Sequence, residues 1–526
     1  ELIEVEYEPL PAVFTPEAAL APQAPLIHDT PTGRNLLFEP VLVSRGDVEA
    51  GFAQADLILE GEYALGRPTP AYMEPNVCVC RWDGDGKLTV WVSTQTAFMV
   101  RGILAEVLGL PHHKVRVLVD HMGGGFGAKQ DLFQHEFLCA LLARETQRPV
   151  RMEYSRAETF VGGRSRHPAT VWLKQGFKKD GTITARQARV TYNTGAYGSH
   201  GPGVTIVGTT ALTSLYRCEN VHLEGRCVYT NTPIAGAFRG YGVPQTYFAL
   251  DTQLDEAAKR LGLDPAALKL RNAVREGDLA PSGHPIVGHG LEACLQRGMA
   301  ESGWANRAAT QSNGPLRRGW GVGCEMHGSS AYPGIKEQGN AIVKMNEDGT
   351  VNLLTGTAGL GTGAHTALAQ IVAEELGLRF EDVAVIEGDT DVVPWDIGAF
   401  ASHTTYMGGR AAQIAAAEVK QSLLQLAAEQ LEAAPEDLVI RLGQVAVRGT
   451  ERSLPVREVI APRKGLPSPH LVGHGSYQPT KSYSFAAHFV EVQVDTETGQ
   501  IEVVQVIPVH EIGRVIHPVG AAGQIE

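Results

Sequence analysis

The chain has 526 residues, 43% of them hydrophobic and 20% charged, with a formal net charge of −13. At roughly 150 residues per domain this length makes about three domains or two large ones, with enough apolar content for real cores, which excludes a disordered chain. The acidic balance leaves no basic footprint for nucleic acid, no apolar run approaches the ~18 residues of a membrane span, and seven cysteines without a CxxC exclude a disulfide scaffold.

Sparse thiols of this kind point to a reduced, cytoplasmic setting, with no iron–sulfur cluster or structural zinc held by this chain alone. Gly is the composition outlier, 59 residues or about one in nine against a usual ~7%. The glycines bunch at Gly123 to Gly127, Gly359 to Gly363 and Gly408-Gly409.

In chain order, Leu2 to Tyr7 alternates like a strand, and the chain opens at Glu1 and closes at Gly523-Gln524-Ile525-Glu526 without a cap. The expectation is a piece of a longer polypeptide or a processed subunit. Pro9 to Pro31 reads as a linker. Lys87 to Ser93 reads as a strand, followed by a helix ending in Ala105-Glu106-Val107-Leu108-Gly109-Leu110 and a strand at Val115-Arg116-Val117. The same series recurs with identical spacing: a strand at Val351 to Thr355, Ala373-Glu374-Glu375-Leu376-Gly377-Leu378, then Val383-Ala384-Val385. This duplication predicts two related domains, with a seam in the Gly/Pro-rich stretch 275–315 that includes Pro281. The expected division is 1–22 as a remnant of a preceding α/β domain plus linker, 23–275 as a first large domain, and 276–526 as a second, truncated one.

Three glycine turns are read as strand-to-helix junctions, where free backbone N–H groups and the helix dipole suit an anion. The first is His121 to Lys129 before a helix at Phe133 to Arg144. Its Gly123-x-Gly125-x-x-Ala128 pattern matches a loose dinucleotide fingerprint, with Glu153 ending the next strand, which keeps a nucleotide-dependent dehydrogenase open. The second is Gly359 to Thr366 before the helix Ala367 to Leu376, and the third is Gly398 to Arg410 before the helix Ala411 to Ala428. One such turn is ordinary capping; three favour a large polyanionic ligand. Arg239, between small and aromatic residues in Ala235 to Gln245, is either an oxyanion clamp or a buried ion-pair partner. Cys78-Val79-Cys80 alternates faces of a strand and reads as packing. His112, His113, His365, His403, His510 and His517 share no metal spacing, and no GxSxG elbow is present.

Taken together, Met73-Glu74-Pro75, Ser93-Thr94-Gln95, Gly123 to Lys129, Ala237 to Gly242 with Pro244-Gln245, Gly361-x-Gly363-x-x-Thr366, Ser402 to Gly409, and Gly513-Arg514 with Gly523 to Glu526 resemble one family. That family is the molybdenum hydroxylases, which include xanthine dehydrogenase, aldehyde oxidoreductase and carbon monoxide dehydrogenase; the chain resembles their molybdopterin-binding large subunit. The resemblance implies a mixed α/β (α+β) fold with two large related cofactor domains. It implies that Gln95 bonds a ligand of the metal centre, that the Phe126-Gly127 backbone sits beside the metal's oxo group with Gly125 also binding the cofactor, and that Arg239 approaches the dithiolene and the metal's equatorial ligands. Gly361, Thr362, Gly363 and Thr366, with Ser402 and Thr404, are implied to hold the pterin and its phosphate, while Phe126, Gln130 and Tyr241 shape the substrate pocket.

The implied cofactor is molybdopterin with molybdenum and no protein side-chain ligand, in a form that includes the cytosine dinucleotide. The implied partners are 2Fe-2S and FAD subunits, with a dimer of heteromers among the assemblies this allows. The implied reaction is hydroxylation of an aldehyde or an aromatic or N-heterocyclic carbon with water-derived oxygen. Gln130 stands where purine-oxidising members carry a carboxylate, Gly240 where carbon monoxide dehydrogenase carries its special cysteine, and Thr362 where a Gln is usual. The family's general-base Glu lies in a Gly-Glu-Pro motif that this sequence lacks, so the base is expected beyond Glu526 or on another subunit. A non-catalytic cofactor-binding remnant is the remaining alternative.

Overall fold

The computed structural model describes residues 3–280, 283, 285–307, 312–331, 334–335, 337–462 and 469–526. Glu1 and Leu2 of the alternating run, and Pro281 of the 275–315 stretch, lie outside the described residues. Two compact units result, each drawn from three stretches of chain. One combines Glu1–Pro70, Phe160–His327 and Tyr483–Gly513; the other combines Ala71–Thr159, Gly328–Ser482 and Arg514–Glu526.

The first unit is built on a five-stranded sheet in the order Val41–Arg45, Val221–Tyr229, Ile183–Gly195, Ala169–Phe177, Leu57–Leu65. Only the pair Ile183–Gly195 and Val221–Tyr229 is parallel; the other pairs are antiparallel. Alternation decides which face is buried: Val171 and Leu173 point to the core while Thr170 and Trp172 do not. The helix Val243–Leu261 covers the sheet with Val243, Tyr247, Leu250, Leu254 and Ala257, a 3-4 spacing that makes one apolar stripe. It is bracketed by left-handed Gly242 and Gly262, the second closing it as a C-cap. A second sheet, Ser312–Asn313, Leu316–Ser329, Ser482–Asp495 and Ile501–Glu511, adds Phe485 and Phe489 to the same core. The stretch 275–315 contributes the helix Leu291–Glu301, and its Leu291, Leu295 and Trp304 belong to that core as well.

Two sequence expectations fail in this unit. Residues 3–7 form no strand: Ile3, Val5 and Tyr7 are exposed, and without a neighbouring strand their N–H and C=O groups have no ladder to enter. Pro9 to Pro31 is more than a linker, because it holds the helix Pro16–Leu20, capped by the Thr15 hydroxyl, which accepts from the Ala18 N–H. Val13 and Ala19 pack with Leu36 and Val228, and Asn231 and Val13 exchange hydrogen bonds.

The second unit contains the duplication. Its first copy is a four-stranded sheet ordered Val115–Leu118, Leu88–Val92, Val77–Trp82, Val150–Glu153, with helices Ala97–Leu108 and Gln134–Thr146. Its second copy is ordered Val383–Glu387, Val351–Thr355, Gly339–Met345, Val472–Tyr477, with helices Ala364–Leu376 and Gly409–Leu431. In both, the first pair of strands is parallel and the next two pairs antiparallel. Each first helix ends at a left-handed glycine, Gly109 or Gly377, which explains the repeated Leu-Gly-Leu. The copies touch where their parallel strands run out: the Val119 N–H donates to the Gly388 carbonyl at 2.8 Å, and Thr390 N–H to the Val117 carbonyl at 3.0 Å.

Candidate functional site

The three glycine turns all lie in the second unit and adjoin one another. The first, Gly123 to Lys129, is not a helix start: the helix begins at Gln134, with Phe133 as its cap. This corrects the fingerprint reading, because the glycines sit several residues short of the dipole that a dinucleotide pyrophosphate needs. The turn is shaped from beneath instead. The Gln95 side-chain oxygen accepts from the Gly127 N–H at 2.9 Å and the Lys129 N–H at 3.3 Å. A Cβ on Gly125 would lie 2.6 Å from that oxygen, so any larger residue there would push Gln95 out of this position. Phe126 is held at φ 53°, a left-handed conformation rare for an aromatic residue, and is 45% exposed.

Below Gln95, Lys129 has no exposed surface and places its ammonium 3.0 Å from a Glu74 carboxylate oxygen, 2.8 Å from the Glu74 carbonyl and 2.6 Å from the Ser93 hydroxyl. The same Glu74 oxygen accepts from Ser93 Oγ at 2.6 Å and from the Gly123 N–H at 3.0 Å. Met73-Glu74-Pro75, Ser93-Thr94-Gln95 and Gly123 to Lys129, far apart in sequence, are thus one hydrogen-bonded block. Burial pushes the Lys129 ammonium down from its ordinary pKa; Glu74 stays below the ordinary carboxylate range because the bonds from Ser93 and Lys129 outweigh its burial.

The third turn is tied to this block by Gln95, whose Nε2 donates to the Ala399 carbonyl at 2.7 Å while the Ala399 N–H donates to the Gln95 carbonyl at 2.9 Å. Ala401 and Ser402 are both left-handed, and Thr404–Gly408 is a single π turn leading into the helix Gly409–Leu431. Such π turns recur at functional sites. Ser402 is exposed and Thr404 half-buried. His403 points inward, with Nδ1 3.0 Å from Glu337 Oε1 and Nε2 2.7 Å from the Gly398 carbonyl. Burial opposes its charge, yet the Glu337 carboxylate raises its pKa. Neighbouring Asp396 is 1% exposed, accepts from the Gly398 N–H at 2.8 Å, and has its carboxyl pushed up to about 6 by burial.

The second turn meets the first through Met122 N–H and the Gly359 carbonyl at 3.3 Å. Gly363, at φ +77°, is the cap of the helix Ala364–Leu376, which has no side-chain cap, and the space beside Gly361 is open. A second uncapped helix start, Pro518–Ile525 with His517 at its cap, comes against it: a Cβ on Gly363 would lie 2.9 Å from His517 Cδ2. Two helix starts without a side-chain cap therefore lie close together, with Thr362 exposed and Thr366 half-buried at the first. This donor set fits a phosphate-bearing organic cofactor.

Gln130 is buried next to Lys129, its carbonyl accepting from Thr96 Oγ1 at 3.0 Å. Arg239 and Tyr241 belong to the first unit. There Tyr241 is left-handed at φ 46° between Gly240 and Gly242, and its hydroxyl is 2.8 Å from His200 Nδ1. Arg239 is exposed, and its carbonyl accepts from Arg166 Nη2 at 2.6 Å, with the Arg166 guanidinium 4.2 Å from the Phe238 ring. Among the described residues, the one group of three or more side chains able to share a metal ion is Cys78, Cys80 and Cys139, and it lies outside these turns.

The sequence reading missed three parts of this arrangement: the burial of Lys129, the Glu337–His403–Asp396 cluster, and His517. A lysine inside a run of small residues was the available signal for the first; the other two assemble residues too far apart in the chain to announce themselves.

Two molybdopterin cofactor-binding domain families match the chain, over residues 27–273 and 297–526. It is similar to the xanthine dehydrogenase molybdenum-binding subunit of Escherichia coli O157:H7, 36% identical over 538 residues that span all of this chain and 70% of that protein. It is 40% identical over 286 residues to the nicotinate dehydrogenase large molybdopterin subunit of Eubacterium barkeri, covering 54% of this chain and 66% of that one. Among solved structures, quinoline 2-oxidoreductase from Pseudomonas putida 86 superposes with a TM-score of 0.89 at 28% identity, covering 99% of this chain and 69% of that one.

Proposed function

The chain belongs to the molybdopterin-binding large-subunit family of the molybdenum hydroxylases, and on that premise we propose how its residues divide the work of a molybdenum-dependent oxidoreductase. The observation that carries the proposal is the meeting of two uncapped helix starts at Gly363 and His517, beside the block that fixes Gly125 to Gly127. Bound there, the molybdenum cofactor supplies two-electron oxidation of a substrate carbon with oxygen derived from water.

The N–H groups at the start of the Ala364–Leu376 helix, with Gly361, Thr362 and Thr366, hold the phosphate of the pterin. Ser402 and Thr404 add hydroxyls from the π turn. Gln95 spends its oxygen and one amide proton on the Gly turns, leaving the second Nε2 proton to meet a ligand of the metal. Phe126 and Gly127 present backbone and ring, held in place by Lys129 and Glu74. Arg239 is a cationic contact for the cofactor, and Tyr241 and Gln130 shape the substrate's surroundings; each is testable by itself.

The substrate class is an aldehyde or an aromatic or N-heterocyclic compound. Among the relatives, the names of the nicotinate and quinoline enzymes favour the heterocycle. Electrons leave to 2Fe-2S and FAD partner subunits in a cytoplasmic complex, with the pterin as a cytosine dinucleotide in the more specific form of the proposal. Among the described residues no helix is long and apolar enough to cross a membrane. No residue of 1–526 is assigned as general base.

Molybdenum and pterin content of the purified complex tests the reading, with about one of each per chain expected. Arg239→Ala is expected to abolish turnover while the circular dichroism spectrum stays unchanged; normal turnover would remove Arg239 from the site. Tight nicotinamide binding without molybdenum would favour the dehydrogenase alternative, against which the late helix start at Gln134 already speaks.

A further inference from the structure

Beneath the strand Val77–Trp82 lies a group of side chains that the cofactor turns do not use. Cys78 and Cys80 share the buried face of that strand, and Cys139 reaches them from the helix Gln134–Thr146 packed across it. The three sulfur atoms lie within 4.8 Å of one another, on residues exposed by 1% or less. Two thiols make weak bonds to carbonyls, Cys139 to Val150 at 3.1 Å and Cys78 to His135 at 3.7 Å.

His135 precedes Cys139 by four residues on the same helix, which puts both on one helical face. Its ring is buried and neither nitrogen has a hydrogen-bond partner; it rests against the Tyr154 ring, 4.6 Å between centroids. Free cysteines often serve as small core hydrophobes, and packing accounts for each of the three singly. It does not account for three thiols converging one helical turn from a buried imidazole with two unmet nitrogens, an arrangement that otherwise only costs free energy.

We propose that Cys78, Cys80, Cys139 and His135 form a structural zinc site of the Cys3His type, pinning this strand to the helix that follows the Gly123–Lys129 turn. Zinc–thiolate bonds of about 2.3 Å in a tetrahedron place sulfur atoms about 3.8 Å apart, so the cluster contracts by about 1 Å at most and the His135 ring turns to complete it. Binding exchanges three thiol protons, released to solvent, for one divalent cation, and leaves a single negative charge spread over three sulfurs. No electron is transferred. The shell is closed, without the open position that a catalytic zinc keeps.

The test is zinc content by plasma mass spectrometry in the purified complex, expressed with added zinc and dialysed against a chelator, together with zinc-edge X-ray absorption. About one zinc per chain is expected, with three sulfur neighbours and one nitrogen. Cys139→Ala and His135→Ala should each lower retained zinc by roughly tenfold or more. Should either variant fail to fold, the absorption spectrum of the unmodified protein decides alone. A folded protein holding less than about a tenth of a zinc per chain, an oxygen-and-nitrogen shell, or undiminished zinc in Cys139→Ala overturns the site.

Discussion

The two copies of the repeated module use one scaffold to make two kinds of turn. Between the second strand and first helix, the first copy has four residues, 93–96, and the second has eight, 356–363. In the first, the short connection turns Gln95 inward, and a side-chain amide, a buried ammonium and a carboxylate hold up the neighbouring glycine turn. In the second, half of the eight residues are glycine, and the helix start is left without a side-chain cap. A rigid platform built from side chains thus sits next to an open cradle built from backbone, which is what a bulky anionic cofactor with a reactive end requires.

That contrast breaks first at Lys129. Lys129→Met leaves the Glu74 carboxylate half-buried without its cation and should destabilise the unit by about 3–5 kcal/mol in denaturant titrations; adding Glu74→Gln should recover more than half. A loss under about 1 kcal/mol would show that the platform does not depend on the pair.

In the second copy, removing a charge has the opposite sign. The folded Asp396 carboxyl keeps its proton up to about pH 6, whereas the unfolded one releases it near its ordinary value, so the wild type loses stability as pH rises through that window. Asp396→Asn should therefore stabilise the unit by up to about 3 kcal/mol above pH 6 and by nothing near pH 3.5, read from thermal midpoints of both proteins across that range.

A smaller effect is expected for Gln95→Glu, which exchanges the bond to the Ala399 carbonyl for repulsion and should cost about 1–3 kcal/mol, with the two turns separating. Smallest in stability is Gly363→Ala, about 1 kcal/mol for a left-handed alanine, although the methyl group pressed against His517 should reduce retained pterin; full pterin content would show that the cradle lies elsewhere.

The repeat and its elements were legible because each strand and helix there satisfies its own periodicity, and Gly109 and Gly377 mark the same helix end twice. The helix at Gln134 was legible to within one residue, but the separation of the Gly123–Lys129 turn from it was not, because glycines resemble a helix entry whether or not the helix follows at once. Nor was the inward turn of Gln95: a glutamine between two threonines gives no sign that its amide will join the Gly127 and Lys129 N–H groups to the Ala399 carbonyl. The cysteine group escaped for a related reason, since two thiols of a strand and one of a helix come together only after folding. The proposed contacts of Arg239 and Tyr241 rest on family motifs rather than on any local pattern.

Each compact unit is finished by a segment made late. The strands Ser482–Asp495 and Ile501–Glu511 complete a sheet begun at Leu316–Ser329, and Phe485 and Phe489 enter a core whose earlier members run from Leu59 to Met326. During synthesis the first unit therefore waits, its apolar faces uncovered, until the ribosome has passed residue 511. Its folding is governed by long-range closure, which is slow and open to aggregation. Expression yield should consequently depend on temperature and chaperone supply more steeply than the stability of the finished protein would indicate.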